Sequence, residues 1–515
     1  MTTINALNHE PFSLAQFAEA GRIEACRQLD QQRRASLGQF LTPPHIARFM
    51  ASFVSRVPDE IDLLDPGAGM GALTAAFVAE VLRRPTRPSV IRADAFEIET
   101  GFHDQLADVL NACRDECRRA GLAFELRILP KDFLEAATDS LSGSDLFRTR
   151  ALPSYTHVIM NPPYRKLNAQ SRDRLRLREV GIETSNYYAA FLWLAMRLLR
   201  TGGEFISINP RSFCNGPYFK PFRSDFLREM TLKRLHIFDS RTAAFRDDDV
   251  LQENLILHAI KGEAEPEQVT ISNCNGDADA PIVERQVAYR DVIAPSDPEM
   301  FIHLVVNEEH SEAKSRMERF SHSLRSLGLN VSTGRVVDFR AKDHLRQDPA
   351  DDTVPLVYPC HFNGGFVQWP KPGSRKPNAI VRNASTQELL VPAGVYVLVK
   401  RFTSKEERRR IVACIYDPDR IKAEWVGFEN HLNYFHLRGG GMSMTLAKGL
   451  AAFLNSTVVD TYFREFSGHT QVNATDMRTL KYPTKEELER LGCDITDSGL
   501  SQQDLDSLID RTLFG

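Results

Sequence analysis

The 515-residue chain has no run of eighteen apolar residues and no signal-peptide pattern at its start. A helical membrane span and a secretory leader are therefore not expected, and the chain reads as soluble and cytoplasmic, with no membrane partner. Its eight cysteines are scattered. Cys113 and Cys117 are the nearest pair, and no second pair stands close enough to complete a zinc site, so reduced thiols and no metal are expected. There is no internal repeat. There is also no convincing Asp…Glu-x-Lys strand pair of the kind a fused nuclease would need. The net charge of −4 gives no overall nucleic-acid signature.

What is present is an ordinary folded composition, 42% hydrophobic and 26% charged, with length enough for about two to four domains. The charge is unevenly spread. Arg325 to Lys485 carries 23 Lys+Arg against 15 Asp+Glu, a local +8, which leaves −12 for the rest. A basic second half permits a polyanion partner.

Residues 1–35 include an amphipathic helical segment. In "LGQFLTPPHIARFMASFV", Thr42 is a helix cap with Pro43 at the first position, and Ile46, Phe49, Met50 and Phe53 share a face. Strand-like and helix-like segments then alternate, which predicts a doubly wound α/β domain over 36–262. A connecting region follows over 263–320. Short strands rich in aromatics, Gly and Pro fill an α+β domain over 321–485, in which 445–466 reads as helix. A helical tail closes the chain over 486–515.

"LLDPGAGMGALT" (63–74) is a strand, a glycine turn and a helix start. Gly67, Gly69 and Gly71 allow tight φ values and close approach of a ligand, with Asp65 and Pro66 at the strand tip. The turn matches neither a dinucleotide fingerprint nor a Walker phosphate cradle. Glu97, followed by Ile98, ends the next strand, in position for ribose hydroxyls. Asp132 ends the third, in position for an adenine amino group, with Phe133 beside it as an apolar wall. Three acids at three successive strand ends describe a nucleoside without phosphate; each is equally readable as an N-cap for the helix that follows.

"MNPPYRK" (160–166) follows the apolar run "YTHVI". Two prolines end the strand and stiffen the loop, Asn161 offers an acceptor, and Tyr164 offers a flat ring. Taken in order, "GQFLTPP", "DPGAGMG", "FEIE", "KDF" and "NPPY" resemble the S-adenosylmethionine-dependent DNA adenine methyltransferases of the gamma class. The length and layout resemble the PstI/BsuBI type of modification enzyme from type II restriction–modification systems. The resemblance covers residues 36–262, and 467–483 more loosely. It implies a Rossmann-like methyltransferase domain with a mixed, mainly parallel sheet, followed by a target recognition domain. It further implies S-adenosylmethionine as cofactor and duplex DNA as substrate, and leaves open a separately encoded endonuclease as a partner. In that family the side chain of Asn161 and the carbonyl of Pro162, stiffened by Pro163, accept the hydrogens of an exocyclic amine. Tyr164 and Phe245 sandwich the flipped base, and Thr42 and Pro43 line the methionine end of the cofactor.

In the second half, Arg375, Lys376, Lys400 and Arg401 are candidates for phosphates, and Gln471 and Asn473 for base edges. The default reading of these segments is a solvated surface, about one residue in three contacting DNA, and Gln471 and Asn473 are equally readable as structural. Three other readings stay open. Protein glutamine methyltransferases use the same loop on an amide nitrogen, but their chains are shorter and lack the basic extension. Methylation of RNA is not separable by the loop alone. A DNA-binding subunit with a vestigial pocket is the non-enzymatic alternative. Amino-cytosine enzymes usually carry Ser in place of the Asn.

Overall fold

The computed structural model describes residues 3–4, 41–142, 152–238, 253–274, 281–295, 297–304, 308–403, 407–466, 471–496 and 500–515. The helix expected within 1–35, the start of "GQFLTPP" at 38–40, Phe245 and residues 467–470 lie outside them. The chain divides into two units, Met1–Val306 and Asn307–Gly515.

The first unit is built on one mixed sheet. In chain order its elements are β1 (Thr3–Ile4), α1 (Pro44–Ala51), β2 (Glu60–Pro66), α2 (Ala72–Arg83), β3 (Val90–Phe96), α3 (His103–Arg119), β4 (Ala123–Leu129), α4 (Phe133–Ser142) and β5 (Tyr155–Met160). There follow α5 (Arg172–Glu179), α6 (Tyr187–Leu198), β6 (Leu199–Pro210), α7 (Lys220–Glu229), β7 (Met230–Phe238), β8 (Asn254–Lys261), β9 (Gln268–Cys274) and β10 (Ile282–Ala288). The strand order is β1-β10-β9-β7-β8-β6-β5-β2-β3-β4. From β6 to β4 every neighbour is parallel, while β8 runs antiparallel between β6 and β7. Strand β5 is buried along its whole length, as a central parallel strand covered on both faces must be. Helices α1, α2 and α3 pack in one apolar cluster, and α4, α6 and α7 in another. Chain order reverses between β2 and β5, so the carboxyl ends of those two strands flank a crevice.

Two expectations for the first unit need correction. The first unit does not end near residue 262. Strand β9 pairs parallel to β7, and β10 pairs antiparallel to β9, so 263–306 continues the sheet rather than connecting domains. These are polar strands. β10 is mostly half-exposed, and its Glu284 pairs with Arg234 of β7, which hides the apolar signature of a strand. At α1 the first helical residue is Pro44, and Pro43 takes the cap position without a side-chain bond. The Thr42 hydroxyl is turned elsewhere.

The second unit holds two mixed sheets, of six and five short strands, between Leu329 and Leu437. Its helices are α8 (Glu308–Glu318), α9 (Met444–Leu454), α10 (Thr457–Phe466), α11 (Ala474–Thr479), α12 (Lys485–Cys493) and α13 (Gln502–Ile509). The helix expected over 445–466 breaks at Asn455 and Ser456. The Asn455 amide there bonds both the N–H and the carbonyl of Ala413, at 2.9 Å each, and so ties the break to the sheet. Residues 486–515 are not a separate tail. Leu488, Leu491, Leu505 and Leu508 share one core with Leu446 and Leu450 of α9.

Candidate active site

The strand tips on either side of the crevice carry the glycine turn and the Asn161 loop. Gly67 (φ +90°), Gly69 (φ +55°) and Gly71 (φ +82°) all take left-handed backbone that L side chains rarely adopt. At Gly71 a Cβ would also lie 3.0 Å from Leu106 Cδ1 of α3, so this residue both starts α2 and lets the two helices close up. The amides of Gly67 and Ala68 donate to the Phe96 carbonyl at 2.9 and 2.8 Å, which pins the turn to the end of β3.

Asp65 is buried beneath that turn. Its Oδ2 accepts from the Thr74 hydroxyl at 2.7 Å, and its Oδ1 has no hydrogen-bond partner. Burial, with the charge of Glu97 as a lesser cause, pushes its carboxyl up to about 7 against the pull of Thr74. Glu97 accepts the Gly69 amide on Oε2 at 2.8 Å and the Glu99 amide on Oε1 at 2.7 Å, and burial raises its carboxyl too. Asp132 accepts the Leu134 amide at 2.8 Å and so caps α4. The cap reading and the ligand reading are thus compatible for this acid, which lines the cleft with Phe133. Phe133 itself is locked between Phe96 and Phe191, with ring centroids 5.3 and 5.1 Å away.

Across the crevice, Asn161 Nδ2 donates to Thr42 Oγ1 at 3.0 Å. That bond fixes which end of the amide donates and which accepts. Tyr164 donates its hydroxyl to the Ile208 carbonyl of β6 at 3.2 Å, which holds its half-buried ring in one orientation. Burial keeps that phenol protonated, its pKa well above the ordinary 10.

Two clefts of about 420 and 820 Å³ share Leu41, Gly67, Gly69 and Asn161. Between them they are lined by Thr42, Glu97, Ile98, Asp132, Phe133, Pro162 and Pro163, so residues from five separate stretches of sequence converge. Pro43, Asp65, Pro66, Gly71 and Tyr164 do not line either cleft; Asp65, Gly71 and Tyr164 support residues that do. Sequence reasoning missed Leu41, Lys131, Arg165 and Tyr187, which also line the larger cleft. The Arg165 guanidinium lies 3.7 Å from the centre of the Tyr187 ring, a stacking that adjacency to "NPPY" alone does not signal.

A family model for the Eco57I restriction-modification methylase matches residues 123–245. Over 505 residues the chain is 41% identical to the type II methyltransferase M.PstI of Providencia stuartii, covering 98% of each. It is 42% identical over 490 residues to the type II methyltransferase M.BsuBI of Bacillus subtilis, covering 94% of this chain and 95% of that one. The chain belongs to the type II methyltransferases of restriction–modification systems. It is a DNA methyltransferase, and its methyl donor is S-adenosylmethionine. Among solved structures, the DrdV–DNA complex shares the fold, with a TM-score of 0.50 at 11% identity over 93% of this chain and 59% of that one.

The residues fit this cofactor. The cleft sets acids beside apolar walls, a buried acceptor without a partner lies under the turn, and Ile98 stands 56% exposed at its rim.

In the second unit the methyltransferase uses several of its expected DNA-contacting residues internally. Lys376 pairs with Asp338 at 2.7 Å, and Lys400 lies 3.8 Å from Glu407. Arg401 donates to the Asn430 carbonyl at 3.1 Å and to Gln471 Oε1 at 3.3 Å, which brings two distant candidates together. Asn473 caps α11, its amide donating to Asp476 Oδ2 at 2.8 Å, a structural role sufficient to explain it. Arg375 is exposed. Cys113 and Cys117 face the core of α3, where burial pushes the Cys117 thiol up to about 12. No helix among the described residues is long and apolar enough to cross a membrane.

Proposed function

We propose that the enzyme methylates the N6 amino group of an adenine extruded from a short duplex sequence. An exocyclic amine is a poor nucleophile because its lone pair is delocalised into the ring. Two acceptors aimed at its two hydrogens hold the nitrogen nearer to tetrahedral geometry and turn the lone pair towards the donor. The side-chain oxygen of Asn161 and the carbonyl of Pro162 take that role, with Pro163 stiffening the loop and Tyr164 facing the base. Bound in the cleft, S-adenosylmethionine supplies a methyl group already activated on a sulfonium. Glu97 holds the ribose, and Asp132 accepts from the cofactor's own adenine amine between Ile98 and Phe133. The turn at Gly67 and Gly69, with Thr42 and Pro43, borders the methionine end, and Asp65 supports that turn from below. The target atom lies inside a duplex, so the base must leave the stack.

The observation that carries this reading is the Asn161–Thr42 bond. It orients the catalytic amide at the edge of the same cleft that Glu97 and Asp132 line. The second unit reads the DNA sequence, and a separately encoded endonuclease cuts what is unmodified. Purified protein, labelled S-adenosylmethionine and unmethylated genomic DNA test the proposal, with modified bases mapped by single-molecule sequencing. N6-methyladenine in one recurring short sequence is expected. N4-methylcytosine, or label only in RNA or protein, contradicts it.

A further inference from the structure

The segment after β6 contains buried polar groups that the cofactor cleft does not use. Strand β6 lies between β5 and β8, with Met160 opposite Ser207 and Pro210 opposite Asn254. The carboxyl end of β6 therefore stands beside the start of the Asn161 loop. It is tied to that loop by the Tyr164–Ile208 bond. The Tyr188 ring, 6.4 Å from that of Tyr164, makes a second tie, its hydroxyl 2.6 Å from Ser212 Oγ. Beyond Pro210 one short turn, Arg211–Cys214, leads to Asn215. The Arg211 amide donates to the Glu253 carbonyl at 2.8 Å, and their side chains pair at 2.9 Å in a buried setting.

Asn254, which follows Glu253 and pairs with Pro210, and Asn215, which ends the Arg211 turn, are 2% and 1% exposed. In each, both Nδ2 and Oδ1 are buried without a hydrogen-bond partner. An amide removed from water and left unpaired weakens the fold, and native proteins rarely keep such groups without a use for them. Four unpaired amide atoms on the two chain segments that adjoin the end of β6 are hard to account for by packing. A ligand edge that offers donors and acceptors side by side accounts for them, and the edge of a purine is such a ligand.

We propose that Asn215 and Asn254 are base-binding residues that hydrogen-bond the edge of the target base while Asn161 and Pro162 hold its amine. The proposal rests on the adenine reading above and deepens it. It gives that reading a means of choosing one base over another, since a base lacking the matching edge would leave both amides unpaired.

The test uses the full chain and a short duplex containing the mapped target sequence. One version carries adenine at the methylated position and the other an abasic site. If the wild-type protein methylates no adenine, the functional reading fails before any variant is examined. Given that it does, Asn215→Ala and Asn254→Ala should each bind the adenine duplex about 5- to 150-fold more weakly, the effect of one amide–base pairing. On the abasic duplex both should match wild type, because no edge remains to be read. Equal weakening on both duplexes, or none on either, removes that residue from the assignment. Asn215→Leu and Asn254→Leu keep the branched skeleton and supply a second reading. With no amide left to desolvate, their melting temperature without DNA should be no lower than that of wild type. A lower one means that the amides already have partners, and overturns the proposal.

Discussion

Asp65 ends β2 with one oxygen on the Thr74 hydroxyl and the other on nothing, in a place water does not reach. An unfolded aspartate titrates near 3.8, and the folded one is pushed up to about 7. Between those values the native state binds a proton that the unfolded state has released, so stability falls as pH rises from about 4 to about 7. Asp65→Asn cannot ionise and can still accept from Thr74. It should therefore be more stable than wild type at pH 8, by on the order of a few kcal/mol at most, and lose most of that advantage at pH 4. An equal difference at both pH values would mean that Asp65 is not protonated in the folded protein. The same scale shows what a sequence can say about a site. Acids at strand ends were legible as ligand contacts or caps because both uses put a carboxylate in the same place. Thr42 was legible as a capping type, but its partner, Asn161, lies 119 positions away, and no local pattern carries that bond.

At the scale of elements, the alternating rhythm of the first unit was readable because central parallel strands are apolar on both faces. Strand β10 escaped because a partly exposed strand mixes charge with apolar residues, and β9 because Thr, Ser and Asn interrupt its Val and Ile. Glycines inside helices were equally silent. In sequence Gly449 is only a weak helix former within α9, and Gly492 a similar one in α12. In the fold they are where the two helices touch. A Cβ at Gly449 would sit 1.8 Å from the Leu488 carbonyl oxygen, and one at Gly492 would sit 1.9 Å from that of Thr445. Backbone, not a movable side chain, is in the way, so α9 and α12 would have to separate. Gly449→Ala should cost about 3 kcal/mol, at the upper end of overpacking penalties. The change is read as a drop in the urea midpoint at unchanged slope. A cost below about 1 kcal/mol would mean that the two helices slide apart freely.

For the molecule as a whole, the decisive quantity is where charge is left unneutralised. A net charge of −4 gives no general attraction to DNA, yet Arg325 to Lys485 has a surplus of eight cations. Some of those cations are held internally, Lys376 by Asp338 and Arg401 by the Asn430 carbonyl and Gln471. Arg340, Lys342 and Arg375 differ. All three are exposed, and none pairs with an acid among the described residues. Arg340 instead lies 5.5 Å from the ring centre of Phe339, itself 76% exposed. Cations of this kind hold phosphates, and each phosphate neutralised contributes about 0.9 to the slope of log affinity against log salt. Replacing all three with alanine should weaken binding to any duplex and flatten that slope by about 0.9 for each phosphate no longer held. Affinity for S-adenosylmethionine, held by the first unit, should not change. Titrations between about 50 and 200 mM salt make the measurement. An unchanged slope would take these three cations away from the DNA and leave the phosphate contacts to other residues of the second unit.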